Sequence, residues 1–472
     1  MLVILNSGRE DTYFFLKILC PENLFVLLRF HSQNEKILME EYWQEELETI
    51  SRQDLEKLQL TRLRHTVASA EESPFYQKIF AEKNLSAANI RSLDDLKKFP
   101  FTTKDDLRHH YPFGIAAIPL KKCVRLHSSS GTTGNPTVVL HSANDLDEWA
   151  NQVARCLYMV GIRDTDIFQN TSGYGMFTGG LGFQYGAEKL GCLTVPAAAG
   201  NSKRQIKFIK DFGTTCLHLI PSYALRLAEA MLAEGVNPQT DTKLHTFVIG
   251  AEPHSEEQRR RIEQLLGVKA YNCFGMSEMC GPGVAFECKE QNGLHIWEDY
   301  VIAEIINPET LEPAGDNEEG ELVLTTLCRE AMPMIRFRTR DLTRFLPGDC
   351  TCGRTHRRLS RFTGRTDDMI ILKGVNIFPV QIETILMQFK ELGNNYLITL
   401  ETVDNSDEML IEVELGDFST DDYGHLQNLT KTITRQLRDE LLVTPRLKLV
   451  SKGSLPVQEG KAVRVRELRI KN

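Results

Sequence analysis

Positive charge is what this chain is short of: 55 lysines and arginines stand against 64 aspartates and glutamates, a formal net charge of −9. Without a basic stripe there is no electrostatic footprint for a phosphate backbone, so no nucleic acid is expected as a partner. Long apolar runs are missing too. The most apolar stretch near the start, Tyr13 to Phe30, is broken by Lys17, Pro21, Glu22 and Arg29, whereas a spanning helix needs about 20 mostly apolar residues. It lacks the layout of a secretory signal as well, and no membrane is expected. The eleven cysteines follow no regular spacing, which fits a reducing compartment better than a disulfide framework and points to the cytoplasm. No fixed-period repeat is present, so a solenoid is not indicated.

Two familiar phosphate signatures are also absent. A P-loop places its lysine directly after the glycines, but Asn135 follows Gly134 here; Gly460-Lys461 has the right pair, yet Gly453 lies too far upstream and Ala462 replaces the Ser/Thr. Gly173-Tyr174-Gly175 is followed by Gly179 and not by a glycine at the third position, so the dinucleotide fingerprint fails and NAD is disfavoured.

What the chain does have is 472 residues, 42% of them hydrophobic and 25% charged, enough for a large core and more than one domain. From about 143 to 272, helical patterns alternate with short β-branched runs. Helices are predicted over Asp145–Val160, Leu181–Leu190, Ser222–Glu234 and Ser255–Leu266, with strands at Asp166–Gln169, Leu193–Pro196, Thr215–Ile220 and Thr246–Ile249. That alternation predicts a parallel sheet covered by helices. Residues 294–345 change to consecutive strands, Ile302–Ile306, Gly320–Leu327 and Ile335–Arg338, a β-rich subdomain. After Gly364-Arg365-Thr366-Asp367-Asp368 the order becomes strand Met369–Leu372, helix Val380–Phe389, strands Asn395–Thr402 and Glu408–Leu415, helix Tyr423–Leu442 and a last strand near Leu447.

The expected fold is therefore α/β: a large N-terminal domain with parallel sheets and a β-rich subdomain, then a small mobile α+β C-terminal domain. The expected boundaries are an atypical extension over 1–38, the large domain over 39–364 and a lid over 365–472. Met39 opens a more regular amphipathic stretch, Glu40 to Ser69, which suggests a biological start at Met39.

Ser128-Ser129-Ser130-Gly131-Thr132-Thr133-Gly134-Asn135-Pro136 concentrates hydroxyls, glycines and backbone amides. Glycines let a backbone approach an anion closely, and hydroxyls and successive N–H groups donate to phosphate oxygens. An ordinary Ser/Gly turn has the same composition, so this segment alone leaves the choice open. Asn170 to Gly180 alternates Tyr174 and Phe177 with residues too small to fill space, among them Gly175; it reads either as the wall of a flat apolar slot or as a tight turn whose rings face the core. Cys288-x6-His295 and Cys350-Thr351-Cys352 supply three thiolates and one imidazole, enough for a closed tetrahedral zinc site, with His356 as a rival to His295. Buried free cysteines are the other reading.

Five segments in order carry a resemblance. The hydroxyl loop Ser129-Ser130-Gly131-Thr132-Thr133-Gly134 is the first, and Tyr271-Asn272-Cys273-Phe274-Gly275-Met276-Ser277-Glu278 the second. Arg336-Phe337-Arg338-Thr339-Arg340-Asp341, then Gly364 to Asp368 with Lys373 to Pro379, and finally Gly460-Lys461 complete the set. From about Trp43 onward the chain resembles the phenylacetate–CoA ligase family of the adenylate-forming acyl-CoA synthetases.

The resemblance implies ATP, Mg²⁺ and coenzyme A as cofactor and co-substrates, a small-molecule aryl acid as substrate and a homodimer by analogy. It implies that the hydroxyl loop, Glu252, Tyr271, Gly275 and Met276 line the nucleotide site. Asp341 offers paired acceptor oxygens to ribose, and Arg365 a fork of donors; their plainer readings are a structural ion pair and a surface charge. Glu278 would hold Mg²⁺, and Lys461 would neutralise charge as carboxylate attacks the α-phosphate. Without the resemblance, a solvated loop acid and a tail lysine describe them equally well. Tyr174, Gly175, Phe177, Gly250 and Ala251 would form the acid pocket, and Asp367 the pivot of a hinge. Asn135 stands where many members carry lysine, so one phosphate-directed charge is missing. The expected activity is AMP-forming ligation of phenylacetate or a related aryl acid to coenzyme A. The alternative is a zinc-stabilised binding or regulatory protein of the same fold that has lost ligation.

Overall fold

The computed structural model describes residues 2–6, 12–16, 41–128, 135–176, 178–403, 406–416, 423–456 and 463–469. The chain divides into two units, Met1–Tyr42 and Trp43–Asn472. In the first, strands Leu2–Asn6 and Thr12–Leu16 pair antiparallel; the expected extension over 1–38 is otherwise outside the described residues.

The second unit is built on a nine-stranded sheet. Five strands are parallel, in the spatial order Leu193–Val195, Ile167–Asn170, Cys216–Leu219, Thr246–Gly250 and Lys269–Met276. Every residue of Cys216–Leu219 and Thr246–Gly250 is buried, as a strand covered on both faces requires. Helices between them start and stop where the sequence provides for it. Ser142 and Asp145 form a capping box ahead of Ala143–Met159, Pro221 opens Pro221–Ala233, and Gly213 and Gly267 end their helices in the left-handed conformation. Apolar residues from these helices and strands, such as Ile209, Leu227, Phe247 and Ile262, form a continuous buried cluster.

At Lys269–Met276 the sheet changes sense. Gly281–Glu287 returns antiparallel to it, followed by Leu294–Ile296, Arg358–Leu359 and Phe345–Leu346. The expected β-rich part is present as Val301–Ile306, Gly320–Thr326, Phe337–Thr343 and Gly364–Arg365 in one antiparallel sheet. The strand expected at Ile335–Arg338 instead begins at Phe337 and runs on to Thr343. Arg336 has a positive φ of 47° and its guanidinium is held by Glu304 and by the carbonyls of Lys97 and Phe99, so the backbone turns there before the strand can start.

Residues 370–465 surround a cluster of their own, with Ile377, Ile382, Leu386, Ile398, Ile411 and Ile433 at its centre. Its sheet runs Arg446–Val450, Ser406–Leu415, Leu392–Val403, Val465–Leu468, with helices Pro379–Leu386 and Tyr423–Leu441 against it. The last strand, parallel to Leu392–Val403, was not expected from the sequence.

Candidate active site

In parallel α/β sheets, ligands gather outside the carboxyl ends of the strands. The ends of Ile167–Asn170, Thr246–Gly250 and Lys269–Met276 bring segments 171–176, 251–254 and 276–278 to one such edge. Asn170 donates to the Gly180 carbonyl at 2.6 Å and to the Tyr174 hydroxyl at 3.0 Å, which folds the glycine-rich segment back on itself. Burial pushes the Tyr174 phenol up to about 12, so it stays protonated. A Cβ on Gly173, Gly175 or Gly179 would meet nothing within 4 Å, so none of these glycines is required by close packing. Phe177 lies outside the described residues. At the end of Thr246–Gly250 a Cβ on Gly250 would run into the Cys273 carbonyl oxygen, so only glycine fits, and Ala251 follows with φ of 65°.

Residues 129–134 of the hydroxyl loop, and with them Ser129, Ser130, Gly131, Thr132, Thr133 and Gly134, lie outside the described residues. Their two flanks do not. Cys123–Ser128 and Val138–Ser142 pair antiparallel, with Ser128 opposite Val138, so the loop's ends are held together. Thr137 then donates to Glu278 Oε1 at 3.4 Å. Glu278 is buried in the turn Ser277–Met279, and Arg329 donates to its backbone carbonyl at 2.8 Å. The flank of the hydroxyl loop and the carboxylate expected to hold Mg²⁺ therefore meet across 141 positions of sequence. Thr137 and Arg329 were not singled out from the sequence; Thr137 follows the Asn-Pro that ends the loop, whereas nothing local marks Arg329.

Asp341 and Arg365 stand opposite each other on neighbouring strands, with Arg365 Nη1 3.7 Å from Asp341 Oδ1. Burial raises the Asp341 carboxyl to about 6 against the pull of Arg365. Arg365 donates twice to Asp367, at 2.8 and 2.9 Å. Burial works against the Arg365 charge, but the Asp367 bonds and the Asp341 carboxylate outweigh it and lift the pKa above its ordinary value. Burial acts against the Asp367 charge as well, and the same bonds leave its carboxyl below the ordinary range.

Tyr271 is buried in its strand, and burial lifts its phenol to about 12. Gly275 is required by close approach: a Cβ there would lie 2.1 Å from the Gly281 carbonyl oxygen of the returning strand. Met276 is half-buried. Glu252 accepts from the Ser222 N–H at 3.1 Å and the Ser222 hydroxyl at 2.9 Å, at the start of helix Pro221–Ala233. Lys461 lies outside the described residues; on either side, the Leu455 N–H is held by Glu414 at 2.8 Å and Val465 opens the last strand.

Away from this edge, ligand atoms of Cys288, His295, Cys350 and Cys352 lie within 4.8 Å of one another. Cys288 Sγ is 3.6 Å from Cys350 Sγ, and Cys352 Sγ is 3.3 Å from His295 Nε2. His295 Nδ1 faces the His356 carbonyl oxygen at 3.1 Å, which fixes the ring with Nε2 toward the thiols. His356 is spent elsewhere: its Nδ1 accepts from the Glu298 N–H at 3.1 Å and its Nε2 donates to the Leu47 carbonyl at 2.9 Å. Of the two rival histidines, His295 is the one in the cluster.

Comparison with known proteins shows the family of the chain. Residues 44–328 match the model of the AMP-binding enzyme family and residues 374–469 that of the AMP-binding enzyme C-terminal domain. A phenylacetate-coenzyme A ligase of Pseudomonas putida is 44% identical over 90% of this chain and 96% of its own length. One from Thermus thermophilus is 42% identical over 90% and 99%. The chain belongs to the phenylacetate–coenzyme A ligase family of AMP-binding enzymes. A 2-hydroxyisobutyryl-CoA ligase of 28% identity, solved in its postadenylation state with an acyl-adenylate, superposes with a TM-score of 0.85 over 92% of this chain and 94% of that one. The same enzyme in its thioesterification state with coenzyme A superposes at only 0.68, over 93% and 94%. Among the described residues of this family member, no helix is long and apolar enough to cross a membrane.

Proposed function

We propose that this chain activates phenylacetate or a related aryl acid and joins it to coenzyme A. A carboxylate oxygen attacks the α-phosphate of ATP and pyrophosphate leaves; the thiolate of coenzyme A then attacks the carbonyl carbon of the acyl-adenylate and AMP leaves, the thiol proton passing to solvent. The observation that carries the reading is the meeting of Thr137 with Glu278, which puts the flank of the hydroxyl loop against a buried carboxylate at the strand ends. A binding protein that had lost ligation is not favoured, given relatives of 42–46% identity that are ligases over most of their length.

In this reading the hydroxyl loop at 129–134 grips the phosphates and Asp341 accepts from the ribose hydroxyls, with Arg365 beside it. Glu278 would hold Mg²⁺, which supplies charge neutralisation on the phosphates. Tyr271, Gly275 and Met276 bound the nucleotide side, and Tyr174, Gly175, Phe177, Gly250 and Ala251 bound the acid. Glu252 contributes by holding the start of helix Pro221–Ala233. Lys461 enters for the first step and withdraws for the second, carried by residues 365–472 about a pivot at Asp367. The better superposition on a postadenylation state than on a thioesterification state supports a lid that adopts more than one position. Cys288, His295, Cys350 and Cys352 would hold zinc in a closed, structural site.

Incubation with ATP, Mg²⁺ and phenylacetate should release pyrophosphate, and Lys461→Ala should lower that rate by about a hundredfold or more. Release that is indifferent to the acid, or a Lys461→Ala variant as fast as the parent, sinks the proposal.

A further inference from the structure

The end of the parallel sheet opposite the candidate active site gathers a second set of metal-ligating side chains. Asp166 immediately precedes strand Ile167–Asn170, Cys216 opens Cys216–Leu219, and His245 immediately precedes Thr246–Gly250. These strands are parallel neighbours, with Phe168 opposite Cys216 and Cys216 opposite Thr246. Three residues from distant parts of the chain therefore stand side by side at the amino ends of the strands. Four or five residues of strand separate them from the carboxyl ends, more than about 10 Å at the rise of a β-strand.

One ligand atom from each residue lies within 4.8 Å of the other two. Asp166 Oδ1 is 3.0 Å from His245 Nε2, and Cys216 Sγ is 4.0 Å from the same nitrogen. Zinc bonds of about 2.0 Å to nitrogen and oxygen and about 2.3 Å to sulfur, at tetrahedral angles, place N and O about 3.3 Å apart and N and S about 3.5 Å apart. Small side-chain rotations bring the three donors to those separations.

The donors are also aimed. His245 Nδ1 is 2.9 Å from the Thr246 hydroxyl, which turns Nε2 toward the other two residues. Asp166 Oδ2 accepts from the Arg163 N–H at 2.8 Å. Its Oδ1 accepts from the Thr215 hydroxyl at 2.8 Å, and that hydroxyl in turn accepts from the Ile167 N–H at 3.0 Å. Outer partners of this kind orient the ligands of metal sites.

Asp166 and Cys216 are buried, whereas half of the His245 side chain is exposed. A Cys–His nucleophile would need a thiol that its electrophile can reach, and Cys216 is 0% exposed. An ion pair of Asp166 with His245 gives no part to the thiol beside them. An ion employs all three: it enters from the His245 side, displaces the thiol proton to solvent and is neutralised by thiolate and carboxylate. Sulfur and nitrogen donors select a cation of the zinc type over Mg²⁺ or Ca²⁺.

We propose that Asp166, Cys216 and His245 bind a second divalent cation of the zinc type, with water on the open His245 side as fourth ligand. Held by three protein ligands, it exchanges more readily than an ion in the four-ligand cysteine cluster and loads from added metal. It ties three strand starts together and takes no part in chemistry at the other end of the sheet.

Co²⁺, whose thiolate complexes absorb in the near ultraviolet, is the probe. The full chain, saturated with zinc and gel-filtered, is titrated with Co²⁺ and followed by absorption and equilibrium dialysis. About one further ion per chain should bind, with a thiolate-to-metal band and a raised melting temperature. His245→Gln, at a half-exposed position, should weaken this binding by about tenfold or more. Cys216→Ser should abolish the band although Cys288, Cys350 and Cys352 remain. A parent that takes up no such ion overturns the proposal, and this arm needs no variant to fold. A band of the same strength and midpoint in both folded variants assigns the ion to the other cysteines and overturns it as well. Pyrophosphate release is not read, so the ligase reading stands or falls separately.

Discussion

Glu383 accepts the backbone N–H of Ser255 at 2.8 Å, just ahead of helix Glu256–Leu266. The carboxylate comes from helix Pro379–Leu386, on the C-terminal side of the Gly364–Arg365 strand, and is buried; its other oxygen accepts from the Tyr396 hydroxyl at 3.1 Å. Two further bonds run beside it, Arg261 to the Leu392 carbonyl at 2.8 Å and Asn394 to Glu229 at 2.7 Å. Any rotation of residues 365–472 must break this contact. Glu383→Gln, which weakens the bond to the N–H, should therefore disfavour the arrangement seen here. Acid-dependent ATP–pyrophosphate exchange should fall by about three- to tenfold relative to thioester formation from preformed acyl-adenylate. Equal effects on both half-reactions would refute a state-specific latch.

Asp341 gives a pH dependence with a definite sign. With its carboxyl raised to about 6 by burial, it is ionised above that pH and protonated below. If Asp341 accepts from the ribose hydroxyls as proposed, binding needs the ionised form, so affinity for adenosine, which carries no phosphate to titrate in this range, should fall about tenfold per pH unit below 6. Calorimetric titration of the parent and of Asp341→Asn checks this: the variant should bind weakly and without that slope.

The cysteine cluster predicts one zinc per chain by elemental analysis. Cys352→Ser should lose the metal and lower the melting temperature, since a structural zinc contributes directly to folding stability. Pyrophosphate release at low temperature should persist, because the cluster lies away from the strand ends that carry Glu278. A metal-free parent with the same melting temperature as the variant would refute the assignment.

Gly275→Ala tests the close approach of the two strands behind Glu278. Its Cβ would meet the Gly281 carbonyl and Pro282 Cα, both backbone, so neither can swing aside. A loss of about 1–3 kcal/mol in unfolding free energy is expected, together with a fall in pyrophosphate release.

Four of the five parallel strands were legible as short apolar runs between helices punctuated by Ser142, Pro221, Ser255 and Gly267, whereas the strand Lys269–Met276, which mixes Lys, Asn and two aromatics, and the strongly basic helix Ser202–Phe212 were not. Val465–Leu468 was not: its Val-Arg-Glu-Leu pattern leaves most side chains exposed, and only pairing with a strand more than sixty residues earlier makes it β. Motif order singled out Glu278, Asp341 and Arg365 as candidates. Thr137 and Arg329 meet Glu278 through packing between distant segments, which no local spacing records. The choice between His295 and His356 likewise turned on which backbone groups each ring already served.

The two anchors around Lys461 set a leash. Leu455 is tied down by Glu414 and Val465 is zipped against Ile398, and a chain extends at most about 3.5 Å per residue. Four residues from the nearer anchor, the Lys461 backbone can stray no more than about 14 Å from Val465. If Lys461 serves the first step as proposed, a swing wider than that reach requires the sheet to which its backbone is tethered to move with it.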